Sequence, residues 1–90
     1  MSIVGADIAA LRGFAWSLRR RKQEIEATRQ RLAATVENLP WTGSDHDRFV
    51  DEWRRVHSPG LMQLTGELSN ASNEAYYHAN RQEQASRRWS

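Results

Sequence analysis

Ninety residues, 39% of them hydrophobic and none of them cysteine, allow one small domain with no disulfide framework and no cysteine-rich zinc site. Globular domains usually run about 45–50% apolar with glycine counted; adding the five glycines still leaves this chain just under that range, and with a mean hydropathy of −0.80 it is expected to finish its core against another chain. The formal net charge is only +2, with 13 basic and 11 acidic residues interspersed, which argues against a dedicated polyanion binder.

The amino terminus, "MSIVGADIAALRGFAW", has neither a positive n-region nor a long apolar run before a cleavage site, so no cleavable signal peptide is expected. No stretch reaches the ~18 apolar residues of a membrane span, and a soluble chain made in the cytoplasm is expected. From about residue 6 to 39 the apolar positions recur every seven residues. Leu11, Leu18, Ile25, Leu32 and Leu39 form one row, and Ile8, Ala15 and Val36 form a companion row three residues earlier. That spacing predicts one long amphipathic helix. Lys22 and Arg29 interrupt the companion row; their aliphatic stems can lie along the seam while the charges reach water.

Residues 40–43, Pro-Trp-Thr-Gly, predict a bend. Pro40 disfavours helical geometry at Leu39, and Gly43 can take the positive φ of a tight reversal. Ser44 is a natural N-cap, with Asp45 and Asp47 in the first turn that follows. A second helix, about 44–84, then places Phe49, Trp53 and Val56, and later Leu61, Leu64, Leu68, Ala71, Ala75 and Ala79, on one face. The phase slips by one residue around "HSPG", and Pro59 there removes a backbone hydrogen bond, so a kink with continuation is expected.

Two long helices and a short bend make an antiparallel hairpin, an all-α fold. Counting from the bend pairs Leu32 with Trp53, Ile25 with Leu61, Leu18 with Leu64 and Leu68, and Leu11 with Ala71 and Ala75. Those positions are the expected hairpin core. Residues past about Arg81 have no counterpart on the first helix, and 85–90 read as a frayed polar tail. A lone helical pair rarely offsets about 1–2 kcal/mol of backbone entropy per residue. Ala9, Gly13 and Trp16 lie off the seam without charge and are the expected dimer interface, Trp16 being the anchor.

Catalysis, cofactors and metals find no support in the sequence. The "DHD" at 45–47 points three ways at roughly 100° steps, and His46 and His57 would stand about 16 Å apart along one helix. No nucleophile–base pair or phosphate-cradling glycine loop is recognisable. The rival to a protein-interaction role is "LRRRK", Leu18–Lys22. Its cluster Arg19, Arg20, Arg21 and Lys22 could serve a nucleic acid or an acidic surface. With no groove-reading motif and no interleaved aromatic, a solvated helix face is the stronger reading and no nucleic-acid partner is expected.

Trp41-Thr42-Gly43 in the bend of a helical hairpin of this length resembles the WXG100, or ESAT-6-like, family of type VII secretion proteins. Phe49 and Trp53 four residues apart, "HSPGL" and "YYHANRQEQAS" extend the resemblance over nearly the whole chain. It implies a leaderless protein exported as a folded dimer, a four-helix bundle, by a membrane-bound ATPase machine and found outside the cell after export. The partner would be a second copy or a related small hairpin; a chaperone role for a larger effector is equally open. The resemblance makes Trp41 and Gly43 part of an export-recognition surface together with a Tyr-x-x-x-Asp/Glu signal in the C-terminal segment. Here Tyr76 is followed by Asn80 and Tyr77 by Arg81, and the nearest acid, Glu83, is seven residues after Tyr76. The signal-like segment Tyr76, Tyr77, Asn80 and Glu83 therefore departs from the pattern at its acid.

Overall fold

A computed structural model describes residues 3–88. The chain forms α1 (Ile3–Glu37), α2 (Ser44–Glu52), a five-residue π-helical turn (Trp53–His57) and α3 (Ser58–Arg88). There is no strand among the described residues. α1 packs along α3, giving an all-helical, hairpin-like rod of 69 × 17 × 13 Å.

No proline interrupts α1. It stops at Glu37, just before the geometry that Pro40 imposes on Leu39 becomes incompatible with a helix. Asn38 closes the end: its main-chain N–H donates to the Ala34 carbonyl at 3.1 Å and its side-chain amide donates to the same oxygen at 2.8 Å. Carbonyls of the last turn otherwise lack partners.

The seam between α1 and α3 is made mostly of small side chains, with Ile8 and Val36 the larger members. Ile8, Ala15 and Val36 are buried on α1, and Thr65, Ser72, Ala75 and Ala79 on α3. The Ser72 hydroxyl donates to the Ala15 main-chain carbonyl at 2.9 Å, a bond that forms only where two helix backbones come close. The companion row, not the leucine row, is therefore the centre of the hairpin contact. Leu11, Leu18, Ile25, Trp53, Leu61 and Leu68 are half-buried, while Leu32 and Leu64, expected in the core, are 43% and 40% exposed. A helix with a single neighbour can bury only a narrow stripe. Alanine and serine at the stripe's centre bring the backbones together and leave the larger side chains on its flanks.

The phase slip before Pro59 is taken up by the π turn. The Ser58 N–H bonds to the Trp53 carbonyl, five residues back, and α3 runs through Pro59 without a break. A π turn accommodates one residue more than an α turn, which is the size of the slip. Arg29 donates to the Ser58 hydroxyl at 3.3 Å, and Arg54 pairs with Glu37 at 3.1 Å, so both sides of the π turn are tied to α1.

At the open end α3 stays helical to Arg88, so residues 85–88 are not a frayed tail; Trp89 and Ser90 lie outside the described residues. Glu83 also has a counterpart on the first helix, because it pairs with Arg12. Arg87 and Arg88 fall in the last turn of α3, where the helix dipole favours positive charge.

Candidate functional site

The bend is a short chain of backbone constraints that ends by displaying an aromatic ring. Trp41 N–H bonds to the Leu39 carbonyl at 2.8 Å, a three-residue turn centred on Pro40. Gly43 has φ 112°, the left-handed region that a residue with a Cβ avoids. No side-chain hydrogen bond caps α2: Gly43 is its N-cap residue, Ser44 already lies inside the helix, and Asp47 N–H bonds to the Gly43 carbonyl at 3.1 Å. The cap expected from Ser44 thus shifts one residue upstream, because the reversal itself needs the glycine there.

Between these constraints Trp41 stands 42% exposed. Its ring meets His46 edge-on at 5.5 Å and lies against Phe49 at 6.0 Å. His46 has its Nδ1 3.3 Å from the Asp47 carboxylate, and its buried Nε2 has no hydrogen-bond partner. Trp41 is therefore folded onto the start of α2 on one side and open on the other. It touches α2 and belongs to neither row of α1.

Along the rod the two helices present two unlike flanks. One carries the leucines: Ile25, Leu32 and Leu61 line a common concavity with Thr28. Leu11 and Leu18 continue this side by heptad spacing, and Phe14, three and four residues from them and 57% exposed, joins it. The opposite flank is polar. Arg12 donates to the Asn80 side-chain oxygen at 3.3 Å and pairs with Glu83, which also pairs with Arg87 at 2.9 Å. Arg19 sits over the Tyr76 ring at 5.6 Å. Arg12 to Arg19 is seven residues forward on α1 and Glu83 to Tyr76 is seven back on α3, so one antiparallel register generates both contacts.

Of the signal-like segment, Tyr76, Asn80 and Glu83 thus come together on the polar flank. Tyr77 does not: it is 58% exposed and carries Arg81 over its ring at 5.7 Å. Arg12 and Arg19 as partners of this segment escaped the sequence reading, although the matched spacings were available to find them. Ala9 and Gly13 are exposed, and Trp16 is 60% exposed. Trp16 lines the polar side, beside Arg19, Arg20 and Gln23.

The Arg12 guanidinium, by its hydrogen bond and its charge, holds the Glu83 carboxyl below its ordinary range, with Arg87 adding to the effect. A carboxyl depressed in the folded state stabilises it above the unfolded pKa, and that contribution is lost as pH falls through the folded value. The melting temperature of the wild-type chain should therefore fall more steeply between about pH 5 and pH 3 than that of Glu83→Gln. The difference should be modest, since both partners are partly exposed. Parallel melting curves for the two proteins across that range would show that Arg12 and Glu83 do not hold the ends together.

No helix among the described residues is long and apolar enough to cross a membrane. No group of three His, Asp or Glu side chains among them could hold a metal ion. No family model matches the chain, and no curated protein or solved structure matches it.

Proposed function

We propose that the chain is a non-catalytic helical hairpin of a type VII secretion system, which pairs with a second small hairpin into a four-helix bundle and offers its bend to the export machinery. The observation that carries this reading is Trp41, kept 42% exposed on a bend by the turn at Pro40 and the left-handed Gly43. A large apolar ring with one face packed on α2 and the other left open, on a bend set by two special backbone positions, is best explained by a partner that reads the open face. The partner of the rod is a second copy of the chain or a related hairpin, and the leucine flank is the face it covers. Phe14, Leu32 and Leu64 stay exposed there while alanine and serine fill the seam, the reverse of what a self-sufficient hairpin requires. Synthesis in the cytoplasm followed by export as a folded pair, driven by a membrane-bound ATPase, completes the proposal. A larger effector in place of the second hairpin would use the same flank.

Trp41→Ala should leave folding nearly intact and lower export. The ring loses its contacts with His46 and Phe49, worth roughly 1 kcal/mol beyond the area they bury, whereas the recognition surface loses its largest member. Gly43→Ala has free space for the methyl group but an adverse φ, so its cost is backbone strain, also about 1 kcal/mol. Thermal unfolding and the ratio of protein in culture supernatant to cell lysate check this together. If Trp41→Ala melts far below wild type and whatever folds is exported normally, Trp41 is a stability residue and the export reading fails.

A further inference from the structure

The basic run on α1 has a partner surface on α3 that sequence adjacency hides. Arg19, Lys22 and Gln23 of α1 and Ser69, Ser72 and Asn73 of α3 line one cleft of about 220 Å³. Every residue except Ser72, whose hydroxyl is bound to Ala15, can turn a donor into it. No carboxylate lines it. Arg21 is occupied elsewhere, pairing with Glu24 at 3.0 Å. Lys22 is half-buried in the row of Ile8, Ala15, Arg29 and Val36, and among the described residues it makes no ion pair, nor does Glu26, one turn further on. Two cations one helical turn apart repel each other, and an anion seated between them would relieve that repulsion.

We propose that this cleft binds a phosphate group between α1 and α3. Arg19 and Lys22 supply two positive charges, which match the −1.5 to −2 that a phosphate monoester carries near pH 7, whereas one carboxylate would leave a net positive charge. The guanidinium and ammonium make charge-assisted bonds, and the amides of Gln23 and Asn73 and the hydroxyl of Ser69 reach the remaining oxygens. From Arg19 and Asn73 the surface continues into a shallow groove bordered by Tyr76 and Tyr77. A flat ring attached to the phosphate would lie there, so a nucleotide is one source and inorganic phosphate another. The aromatic companions that the sequence lacked beside its basic run are thus delivered by α3. The cleft is on the polar flank, and a hairpin covering the leucines leaves it open, so this site stands or falls independently of the secretion reading.

The test is an NMR titration of the isotopically labelled full chain at constant ionic strength, with inorganic phosphate, acetate and a nucleoside monophosphate as separate probes. Phosphate should give saturable shifts at Arg19, Lys22, Ser69 and Asn73, and acetate should give none that saturate. Lys22→Gln should weaken phosphate binding at least tenfold; Asn73→Leu, on the exposed side of α3, does the same from the other wall and keeps the test valid if either variant folds poorly. Tighter binding of the nucleotide with added shifts at Tyr76 and Tyr77 identifies a nucleotide as the source, and equal affinity identifies the bare anion. Shifts that never saturate, or that acetate reproduces, or that survive both variants, overturn the site.

Discussion

Replacing Leu32 and Leu64 together by lysine is expected to weaken association by a hundredfold or more while leaving the chain helical. The two side chains stand 43% and 40% exposed on the leucine flank, so neither is needed to close the seam of Ile8, Ala15, Ser72 and Ala79. Full burial of a leucine is worth roughly 1.5–3 kcal/mol, and about half of that remains to be gained at each site when a partner covers the flank. Two such losses come to about 2 kcal/mol, and desolvating two ammonium groups adds to that. Since 1.4 kcal/mol is about tenfold in affinity, the lost burial alone gives roughly thirtyfold, and the lysine desolvation carries the total to a hundredfold or more. Sedimentation of the wild type and the double variant, with circular dichroism on both, reads the outcome. A cooperatively folded wild-type monomer at micromolar concentration would sink the proposal of a paired working state. Trp16→Glu run alongside decides between faces: if it alone dissociates the pair, the contact runs over Ala9, Gly13 and Trp16 instead.

Ala79→Leu should be the most damaging single change to the hairpin itself. Ala79 and Ala15 have no accessible surface, and the Ser72 hydroxyl reaches the Ala15 carbonyl at 2.9 Å. Three added carbons cannot be housed without moving the helices apart, and overpacking of this kind costs about 1–3 kcal/mol. The separation would also stretch the bond from Ser72, whose loss alone, as in Ser72→Ala, is worth about 1 kcal/mol. For a chain of this size the leucine variant should melt roughly 5–20 °C lower and Ser72→Ala several degrees lower. A melting temperature raised by Ala79→Leu would mean that the helices are not held close by small residues.

The seven-residue repeat, Pro40 and Gly43 make the hairpin legible in the sequence alone, because helical period and chain reversal are local properties of the sequence. The seam was harder to read. The rows through Leu18 and Ala15 share one period, and size alone favours the leucines as core. Which row faces the neighbour depends on how closely two backbones approach, and that is decided by Ser72, Ala75 and Ala79 on the far helix. The polar flank was hidden for the same reason. Arg19 and Tyr76 are far apart in sequence, and only the antiparallel register places one over the other. At the bend, Trp41 could be assigned to a turn but not to its contacts with His46 and Phe49, which depend on where α2 starts. Gly43 rather than Ser44 sets that start.

The π turn at Trp53–His57 gives the chain one position at which its length is negotiable. Elsewhere along α3, deleting a residue turns everything beyond it by roughly 100°, carrying Ser72 and Ala79 off the seam. Within the π turn the extra residue is already looped into a wider ring, so losing it restores ordinary helical hydrogen bonding and leaves the downstream face where it was. Pro59 stands just beyond, without an N–H to give to a carbonyl a turn back and with a ring that crowds that oxygen in a regular helix. The insertion and the proline suit each other, and either alone would be harder to accommodate. Natural length variation in chains built on this plan should accordingly gather between Glu52 and Gly60, and a shortened version should have lost its proline as well.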